Sequence, residues 1–407
     1  MAGTEQEAPS PREVPTITGT FLAYGALFFD RLAPLYLVAL IADDLPVSRA
    51  GQGALALTIG LGWAGSMILA RWASGRWGNR RRILVAAAGV ALLGAASAMV
   101  SGWIAFVVLR GLGGLFAGTA APAVTALSFA AAPPRRRGLD LGVVQSSTRL
   151  LGSLVSPAVV TAVAAAYDWR VALLTSSGFV LVGAIALTLL VPADPPPANN
   201  TDASAAPVLH PGGRRNVLLC TASSVALVAW LIVVSQGAGP LLRAWLDLGV
   251  AEAGSLLSLF GVGAWLATLI VPLTSDRLGR RMALATSSLI GGAAGLGVAI
   301  AANDSAGGPL IAAALMILSG VAMGGLPLVI SIIPAEAVAY GDVGRAVTAP
   351  IIGAELLGGA VLPAVAFAVA GQVGLPALLG TAAILLLLVA ALSFGLRPPS
   401  PPTHRLR

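Results

Sequence analysis

Uninterrupted apolar stretches of about 20 residues recur along the whole chain, and each is long enough to cross a bilayer as a helix. With 57% hydrophobic and only 10% charged residues, the 407-residue chain has too little polar surface to solvate a globule of this size. The sequence therefore predicts an all-α membrane protein of twelve transmembrane helices, with the lipid bilayer as its main solvent. The predicted spans are 16–41, 51–73, 82–100, 103–131, 139–166, 171–191, 216–241, 252–274, 282–301, 308–333, 346–370 and 374–395.

Arginines in the predicted loops indicate how the spans are oriented, because cytoplasmic loops accumulate positive charge. One set of alternate loops is rich in arginine, at 71–82, 135–137, 214–215, 277–281 and 345, whereas the opposite set holds Arg49, Arg170 and Arg243. Both termini are therefore expected in the cytoplasm, and the protein in the inner (plasma) membrane. Orientation accounts for the net charge of +7, so no nucleic-acid partner is expected.

A polar segment with three consecutive prolines, residues 195–197, separates the first six spans from the last six. This composition is typical of a flexible linker. The predicted organisation is a cytoplasmic tail (1–15), a six-helix bundle (16–191), a cytoplasmic linker (192–215), a second six-helix bundle (216–395) and a cytoplasmic tail (396–407).

The two groups of six spans contain an internal repeat. At identical spacing, Arg149, Leu150, Leu151, Gly152, Val155 and Pro157 recur as Glu355, Leu356, Leu357, Gly358, Val361 and Pro363. Two further matches place Asp30, Pro34 and Leu35 over Gln236, Pro240 and Leu241, and Ser74, Arg76 and Gly78 over Ser275, Arg277 and Gly279. Duplicated halves of one orientation predict two bundles related by a pseudo-twofold axis along the membrane normal, with a substrate site near the midplane between them.

The loop at residues 275–281, with the sequence Ser-Asp-Arg-Leu-Gly-Arg-Arg, resembles a cytoplasmic signature of the major facilitator superfamily. Similar elements are Arg110 followed by glycines 111, 114 and 118, and Trp169 followed by Arg170, so the resemblance covers essentially the whole chain. It implies a secondary transporter whose cytoplasmic gate includes Arg76, Gly78, Arg80, Asp276, Arg277, Gly279 and Arg280. The first-half copy departs from the pattern at Arg71 and Gly75, which places charge-pair gating at Asp276 and leaves it in doubt at Gly75.

Five ionisable residues fall inside predicted spans and away from the span ends: Asp30, Arg31, Arg110, Arg149 and Glu355. Each charge at mid-span costs about 2.5 to 3.5 kcal/mol on insertion scales, so these residues should line a wet cavity or form pairs. Arg110 could instead extend toward the headgroups, and Arg149 and Glu355 could form a fixed buried pair. Side chains of adjacent helical residues diverge by about 100°, so at most one of Asp30 and Arg31 should face the central axis.

Three arginines against two carboxylates leave an excess positive charge that a small organic anion would balance. The candidate substrate-binding residues are Arg31, Arg110, Arg149, Gln145 and Gln236. Asp30 and Glu355 are the candidate proton carriers, because coupling requires an acid inside the membrane. The adjacent Asp30 and Arg31 are also similar to the organic-anion symporter branch of the superfamily. The sequence thus predicts secondary active transport of an organic anion by alternating access, with proton symport.

The alternatives to proton-coupled import are an exporter and a membrane enzyme. A proton-antiport exporter of drugs or metabolites would have the same fold. A membrane enzyme would need a nucleophile with a base or a metal cluster, and Cys220, His210 and His404 do not provide one. We therefore expect no enzyme activity, no metal and no cofactor other than a coupling proton. The expected partners are a small-molecule substrate and lipid, and the expected oligomeric state is a monomer.

Overall fold

The computed structural model of the chain describes residues 12–74, 76–133, 137–192, 213–337 and 347–397. Its helices form twelve segments in chain order. They are α1 (Glu13–Tyr36, continued by Val38–Asp44), α2 (Arg49–Ser74), α3 (Asn79–Ala98), α4 (Trp103–Ala131), α5 (Arg137–Arg149, Leu150–Val155 and Ser156–Ala166), α6 (Trp169–Leu190), α7 (Gly213–Leu246), α8 (Val250–Leu278), α9 (Arg280–Asn303), α10 (Pro309–Gly320, Val321–Gly325, Leu328–Ile332 and Ile333–Glu336), α11 (Thr348–Gly353, Ala354–Val361 and 362–373) and α12 (375–393).

The number of spans agrees with the sequence prediction. Nine described helices are long and apolar enough to cross a membrane, and the bent pair that forms α1 is a tenth. One of the nine, Thr348–Ser393, contains Gly374 at φ +84°, and this kink divides it into α11 and α12. With α2 the total is twelve, and no described residue lies in a β-strand. The predicted all-α fold of two six-helix bundles is confirmed.

Helix contacts repeat between the bundles as the internal repeat requires. In the first bundle α1 and α3 pack against α6, and α2 packs against α4. In the second, α7 and α9 pack against α12, and α8 packs against α10. Each contact of the first bundle therefore has a counterpart six helices later, which is the arrangement expected for a pseudo-twofold axis.

Close packing of small residues is part of the duplication. A Cβ placed on Gly62 of α2 would lie 2.0 Å from the carbonyl oxygen of Gly111 in α4. Its counterpart Gly263 in α8 would bring a Cβ within 1.9 Å of the carbonyl oxygen of Ile317 in α10. Small residues let helix backbones approach closely in lipid, where apolar burial does not drive helices together. These glycines set the spacing of two equivalent helix pairs.

The two bundles contact each other through α2 with α11 and through α5 with α8. A Cβ on Gly53, at the start of α2, would lie 3.1 Å from the Cα of Ala364, and one on Gly254, at the start of α8, would lie 2.6 Å from the Cβ of Thr161. All four residues lie toward the arginine-poor ends of their spans. At the opposite end, Thr348–Gly353 of α11 packs on helices of its own bundle. In this structure the bundles are thus joined at the arginine-poor end.

Both copies of the strongest repeat interrupt their helices with a π-helical segment. Leu150–Val155 in α5 and Ala354–Val361 in α11 have this geometry, and Pro157 and Pro363 follow the two segments. Proline cannot donate a backbone hydrogen bond, which favours a local change of helical geometry. Continuous spans were predicted here, because hydrophobic periodicity does not distinguish a π-helical turn from an α-helical one.

Candidate functional site

The bundles are bridged at their centre by an ion pair between Arg31 of α1 and Glu355 of α11. Arg31 Nη1 donates to Glu355 Oε1 at 3.3 Å, and Arg31 Nη2 donates to Oε2. The two side chains are only 5% and 14% exposed. The charge of Arg31 is therefore neutralised by a residue of the opposite bundle, at a position where neither group can reach a headgroup.

Aromatic side chains hold the guanidinium of Arg31 in place. The ring of Trp63 lies 4.0 Å from the Arg31 Cζ, and the ring of Phe28 lies 5.3 Å from it. The two rings also contact each other edge to face. Cation–π contacts of this kind contribute up to about 2 kcal/mol when desolvated. They provide Arg31 with an attractive environment that does not depend on Glu355 carrying a charge.

Arg149 of α5 is a buried cation that has no carboxylate partner among the described residues. Its residue is 6% exposed, and its Nη1 has no hydrogen-bond partner among the residues that the structure describes. No described carboxylate lies within ion-pair distance of it. Arg149 does lie close enough to Arg31, Glu355, Tyr24 and Tyr36 to interact with them electrostatically. The centre thus holds one more positive than negative charge, apart from the pair within the first bundle.

The repeat explains why no described carboxylate pairs with Arg149. Glu355 is the duplicate of Arg149, so the pseudo-twofold places both at the same depth between the bundles. The duplicate of Arg31 is Gly237, which has no side chain. A second pair equivalent to that between Arg31 and Glu355 therefore cannot form.

Asp30 and Arg110 form a separate pair inside the first bundle. Arg110 Nη1 donates to Asp30 Oδ2 at 3.0 Å, and Ser176 Oγ donates to Asp30 Oδ1 at 2.6 Å. Both charged side chains are 4% exposed. Asp30 and Arg31 thus point in different directions, as their helical spacing predicts, and Arg110 is buried instead of extending toward headgroups.

A small cavity of about 20 Å³ lies beside this pair, lined by Gly94, Leu109 and Gly113 among other residues. It has room for about one water molecule. Two further nitrogens of Arg110, Nε and Nη2, are buried without a partner in the described chain. Asp30 and Arg110 are thus placed together inside the first bundle, and Arg31 lines the same cavity.

The two predicted glutamines lie in different parts of the molecule. Gln145 is one helical turn before Arg149, so the two share a face of α5, and its side chain is half-buried. Gln236 Nε2 donates to the Gln52 carbonyl at 2.8 Å and so joins α7 to α2. Gln145 is near the central cations, whereas Gln236 belongs to the contact at the arginine-poor end.

A family comparison matches residues 17–238, more than half of the chain, to the Major Facilitator Superfamily. The chain belongs to the major facilitator superfamily.

Two curated transporters are similar to this chain in sequence. A hexuronate transporter of Bacillus subtilis is 29% identical over 178 residues, which are 44% of this chain and 40% of that protein. A probable sulfoacetate transporter of Cupriavidus necator is 26% identical over 170 residues, 41% of this chain and 37% of that protein. The matches thus span well under half of each relative. Both relatives are named as transporters and not as enzymes.

Solved structures of superfamily transporters share the fold over nearly the whole chain. A variant of the nucleoside transporter NupG superposes with a TM-score of 0.75 at 13% identity, over 94% of this chain and 100% of that one. A bacterial homologue of the human lysosomal transporter Spinster, in an inward-facing and unoccupied conformation, gives 0.71 at 15% identity, over 95% and 97%. A variant of the peptide transporter POT with bound sulfate gives 0.75 at 12% identity, over 94% and 93%. At these identities the likeness concerns the fold.

The superfamily signature loop forms an ionic cluster in the second bundle. Arg280 Nη1 donates to Asp276 Oδ1 at 2.5 Å, and Arg280 Nη2 donates to Glu336 Oε1, at the end of α10, at 2.9 Å. Gly279 adopts φ +84°, a left-handed conformation that favours glycine, and so separates α8 from α9. Arg277 is exposed beside it. Asp276 therefore pairs within its own bundle, and the gating role of this loop stays a prediction.

The first-half copy of the loop is arranged differently. Arg80 Nη2 donates to the carbonyl oxygen of Thr188 in α6 at 2.8 Å, Gly78 precedes α3 with φ −63°, and Arg76 is exposed. Gly75 lies outside the described residues, as does the side chain of Arg71. The gating roles predicted for Arg76, Gly78 and Arg80 therefore also stay predictions.

Sequence reasoning missed four side chains that complete these clusters: Trp63, Ser176, Tyr36 and Glu336. Tyr36 donates to the Gly152 carbonyl at 2.9 Å and so ties α1 to the π-helical segment of α5. Trp63, Tyr36 and Ser176 carry no charge, so they were not distinguishable from ordinary residues of a span. Glu336 lies just beyond the predicted tenth span. The position of this acid at the end of a span, next to a polar loop, could have indicated an ion pair with the arginines of the loop at 275–281.

Proposed function

We propose that this member of the major facilitator superfamily is a secondary active transporter of small organic anions. The observation that carries the proposal is Arg149, a buried guanidinium at the contact between the bundles with no described carboxylate partner. An unpaired charge in such surroundings costs several kcal/mol. An anionic group of a substrate would supply the missing partner with charge-assisted hydrogen bonds.

The names of the two curated relatives support this class of substrate. Hexuronate carries a carboxylate, and sulfoacetate carries a carboxylate and a sulfonate, so both are small organic anions. They differ in size and in charge. The shared chemistry is an acidic group that a guanidinium can bind in a bidentate geometry.

We propose the proton as the coupling ion and Glu355 as its carrier. Glu355 neutralises Arg31 across the bundles, so protonation of this carboxylate would release the Arg31 guanidinium to bind the anion. Asp30 is the second candidate, but both of its oxygens accept hydrogen bonds within the first bundle. Release of Arg31 therefore links proton binding at Glu355 directly to substrate binding.

Alternating access would proceed by rocking of the two bundles about this centre. The bundles are joined at the arginine-poor end, so with both termini in the cytoplasm of the plasma membrane the structure corresponds to the state that opens inward. Opening outward would separate α2 from α11 and α5 from α8.

Ligand-dependent stability of the purified protein tests the proposal. Glucuronate and sulfoacetate should raise the midpoint of thermal unfolding, since a ligand that binds the folded state stabilises it by mass action. The increase should be larger at acidic than at neutral pH, because binding is linked to protonation of Glu355. Choline and other small organic cations serve as controls. Stabilisation by the cations and not by the anions would contradict an anion site.

A further inference from the structure

We propose that the central site prefers anions with two acidic groups, such as small dicarboxylates and sulfocarboxylates, over monoanions of the same size. The inference rests on the proposed function and names its substrate class more narrowly. The inference depends on the guanidinium groups of Arg31 and Arg149, which lie at the same depth between the bundles.

The repeat and the ion pair together define that depth. Arg149 and Glu355 are duplicates and so lie at equal depth on the two sides of the pseudo-twofold axis. Arg31 binds Glu355 directly, so its guanidinium reaches the same level although its Cα lies on a different helix. The positive charges of Arg31 and Arg149 are close enough to oppose each other. An anion at this level would lie within reach of both.

The packing of α1 against α5 keeps these groups together. A Cβ on Gly25 of α1 would lie 3.1 Å from the Cβ of Ser147, and one on Gly152 of α5 would lie 3.2 Å from the Cβ of Phe28. Arg149 lies between Ser147 and Gly152 on α5, and Phe28 also contacts the Arg31 guanidinium. The two arginines therefore project from helices whose backbones nearly touch, so the spacing of their guanidiniums is built into the fold.

Charge balance selects a dianion. With Glu355 ionised, the centre of Arg31, Arg149 and Glu355 carries one net positive charge, which a monoanion balances. With Glu355 protonated, it carries two. The pair of Asp30 and Arg110 is internally neutral and does not alter this sum. Proton binding and release of Arg31 therefore create a site whose charge matches two acidic groups.

The site also contains hydrogen-bond donors for two acidic groups, one set on each guanidinium. Arg149 offers Nη1, which has no described partner, and Arg31 would offer the two nitrogens that now hold Glu355, as well as an unpartnered Nε. Each guanidinium can bind one carboxylate or sulfonate in a two-point geometry. The face of Trp63 at 4.0 Å keeps Arg31 oriented after its carboxylate is neutralised. Two acidic groups on one short ligand would satisfy both arginines at once.

Binding of matched ligand pairs to the full-length protein tests this preference. Sulfoacetate is compared with isethionate, in which a hydroxymethyl group replaces the carboxylate, and malonate is compared with 3-hydroxypropionate. Loss of one charge-assisted pair corresponds to about tenfold or more in affinity, so each dianion should bind about tenfold or more tightly than its partner. In Arg149→Gln this ratio should fall to about threefold or less, because one guanidinium remains; Arg149→Lys, which keeps the charge, should retain part of it.

The outcomes separate this inference from the function on which it rests. Equal affinity within both pairs, with clear binding of all four anions, overturns the dianion preference and leaves anion transport standing. Absence of binding by all four anions, and by glucuronate, overturns both. If Arg149→Gln does not fold, the ligand pairs on the wild-type protein still decide the question. A preference that persists unchanged in a folded Arg149→Gln protein would exclude Arg149 as the second anchor.

Discussion

At the scale of single residues, the five charges well inside the spans form one closed pair and one open cluster. Asp30 and Arg110 neutralise each other within a bundle, whereas Arg31, Glu355 and Arg149 meet between bundles with a charge left over. Charge and hydropathy were sufficient to select these five residues from the sequence. Their pairing was not predictable, because it depends on side-chain direction and helix rotation that spacing along one helix does not determine.

Replacement of Glu355 by Gln should uncouple transport from the proton gradient. The neutral amide mimics the protonated acid and leaves Arg31 free, so exchange of labelled for unlabelled anion should continue while proton-driven accumulation is lost. Both are measured in proteoliposomes. Glu252→Gln, which changes an exposed acid at the start of α8, is the matched control and should keep accumulation. Unchanged accumulation by Glu355→Gln would exclude this residue as the proton carrier.

Replacement of Asp30 by Asn should destabilise the protein strongly. Removing one member of a buried pair leaves an uncompensated charge and costs about 3 to 5 kcal/mol. The control is Asp44→Asn, whose pair with Arg170 is exposed at 47% and 33%, and such a pair contributes about 1 kcal/mol or less. Denaturation of the detergent-solubilised protein compares the two free energies of unfolding. Equal losses in both variants would show that burial of the Asp30 pair does not matter.

At the scale of helices, the repeat predicted the pairing of elements, while local geometry came only from the structure. The match between residues 149–157 and 355–363 indicated that α5 and α11 are equivalent, and both contain a π-helical segment there. The π-helical geometry, the bend of α1 before Val38 and the 3₁₀ turn in α10 are not encoded in hydrophobic periodicity. They depend on which backbone hydrogen bonds the neighbouring helices permit.

Gly62→Ala should disturb the packing of α2 on α4. Its Cβ would lie 2.0 Å from the Gly111 carbonyl oxygen, so the helices must separate, at a cost of about 1 to 3 kcal/mol. Gly178→Ala in α6 is the matched control, because its Cβ would meet no atom within 4 Å and alanine favours the helix by about 1 kcal/mol. Thermal unfolding midpoints should therefore shift in opposite directions. A lower midpoint for Gly178→Ala than for Gly62→Ala would contradict this packing.

At the scale of the whole molecule, composition and the repeat were enough to predict twelve spans in two bundles. The sequence could not indicate which end of the molecule is closed, because the same residues must serve every state of a transport cycle. The structure shows contact between the bundles at the arginine-poor end, through α2 with α11 and α5 with α8. Motion between the bundles remains a proposal that cross-linking can test.

A disulfide across the closed end should stop transport reversibly. Gly53→Cys with Ala364→Cys, in a Cys220→Ser background, would place two thiols on α2 and α11 where the helix backbones approach closely, because a Cβ on Gly53 would lie 3.1 Å from the Ala364 Cα. Oxidation should abolish anion uptake, and reduction should restore it. The two single-cysteine variants are the controls. Undiminished uptake by the cross-linked protein would contradict rocking of the bundles at this contact.

The central claim is that the unpaired guanidinium of Arg149 binds the anionic group of the cargo, and uptake by proteoliposomes tests it most directly. The anion that most stabilises the wild-type protein is measured with wild type, Arg149→Lys and Arg149→Gln, after each is shown to fold. Loss of a charged hydrogen-bonded contact corresponds to about 10- to 150-fold, so kcat/KM should fall by about this factor in Arg149→Gln and by less in Arg149→Lys. Wild-type uptake by a folded Arg149→Gln protein would contradict the account.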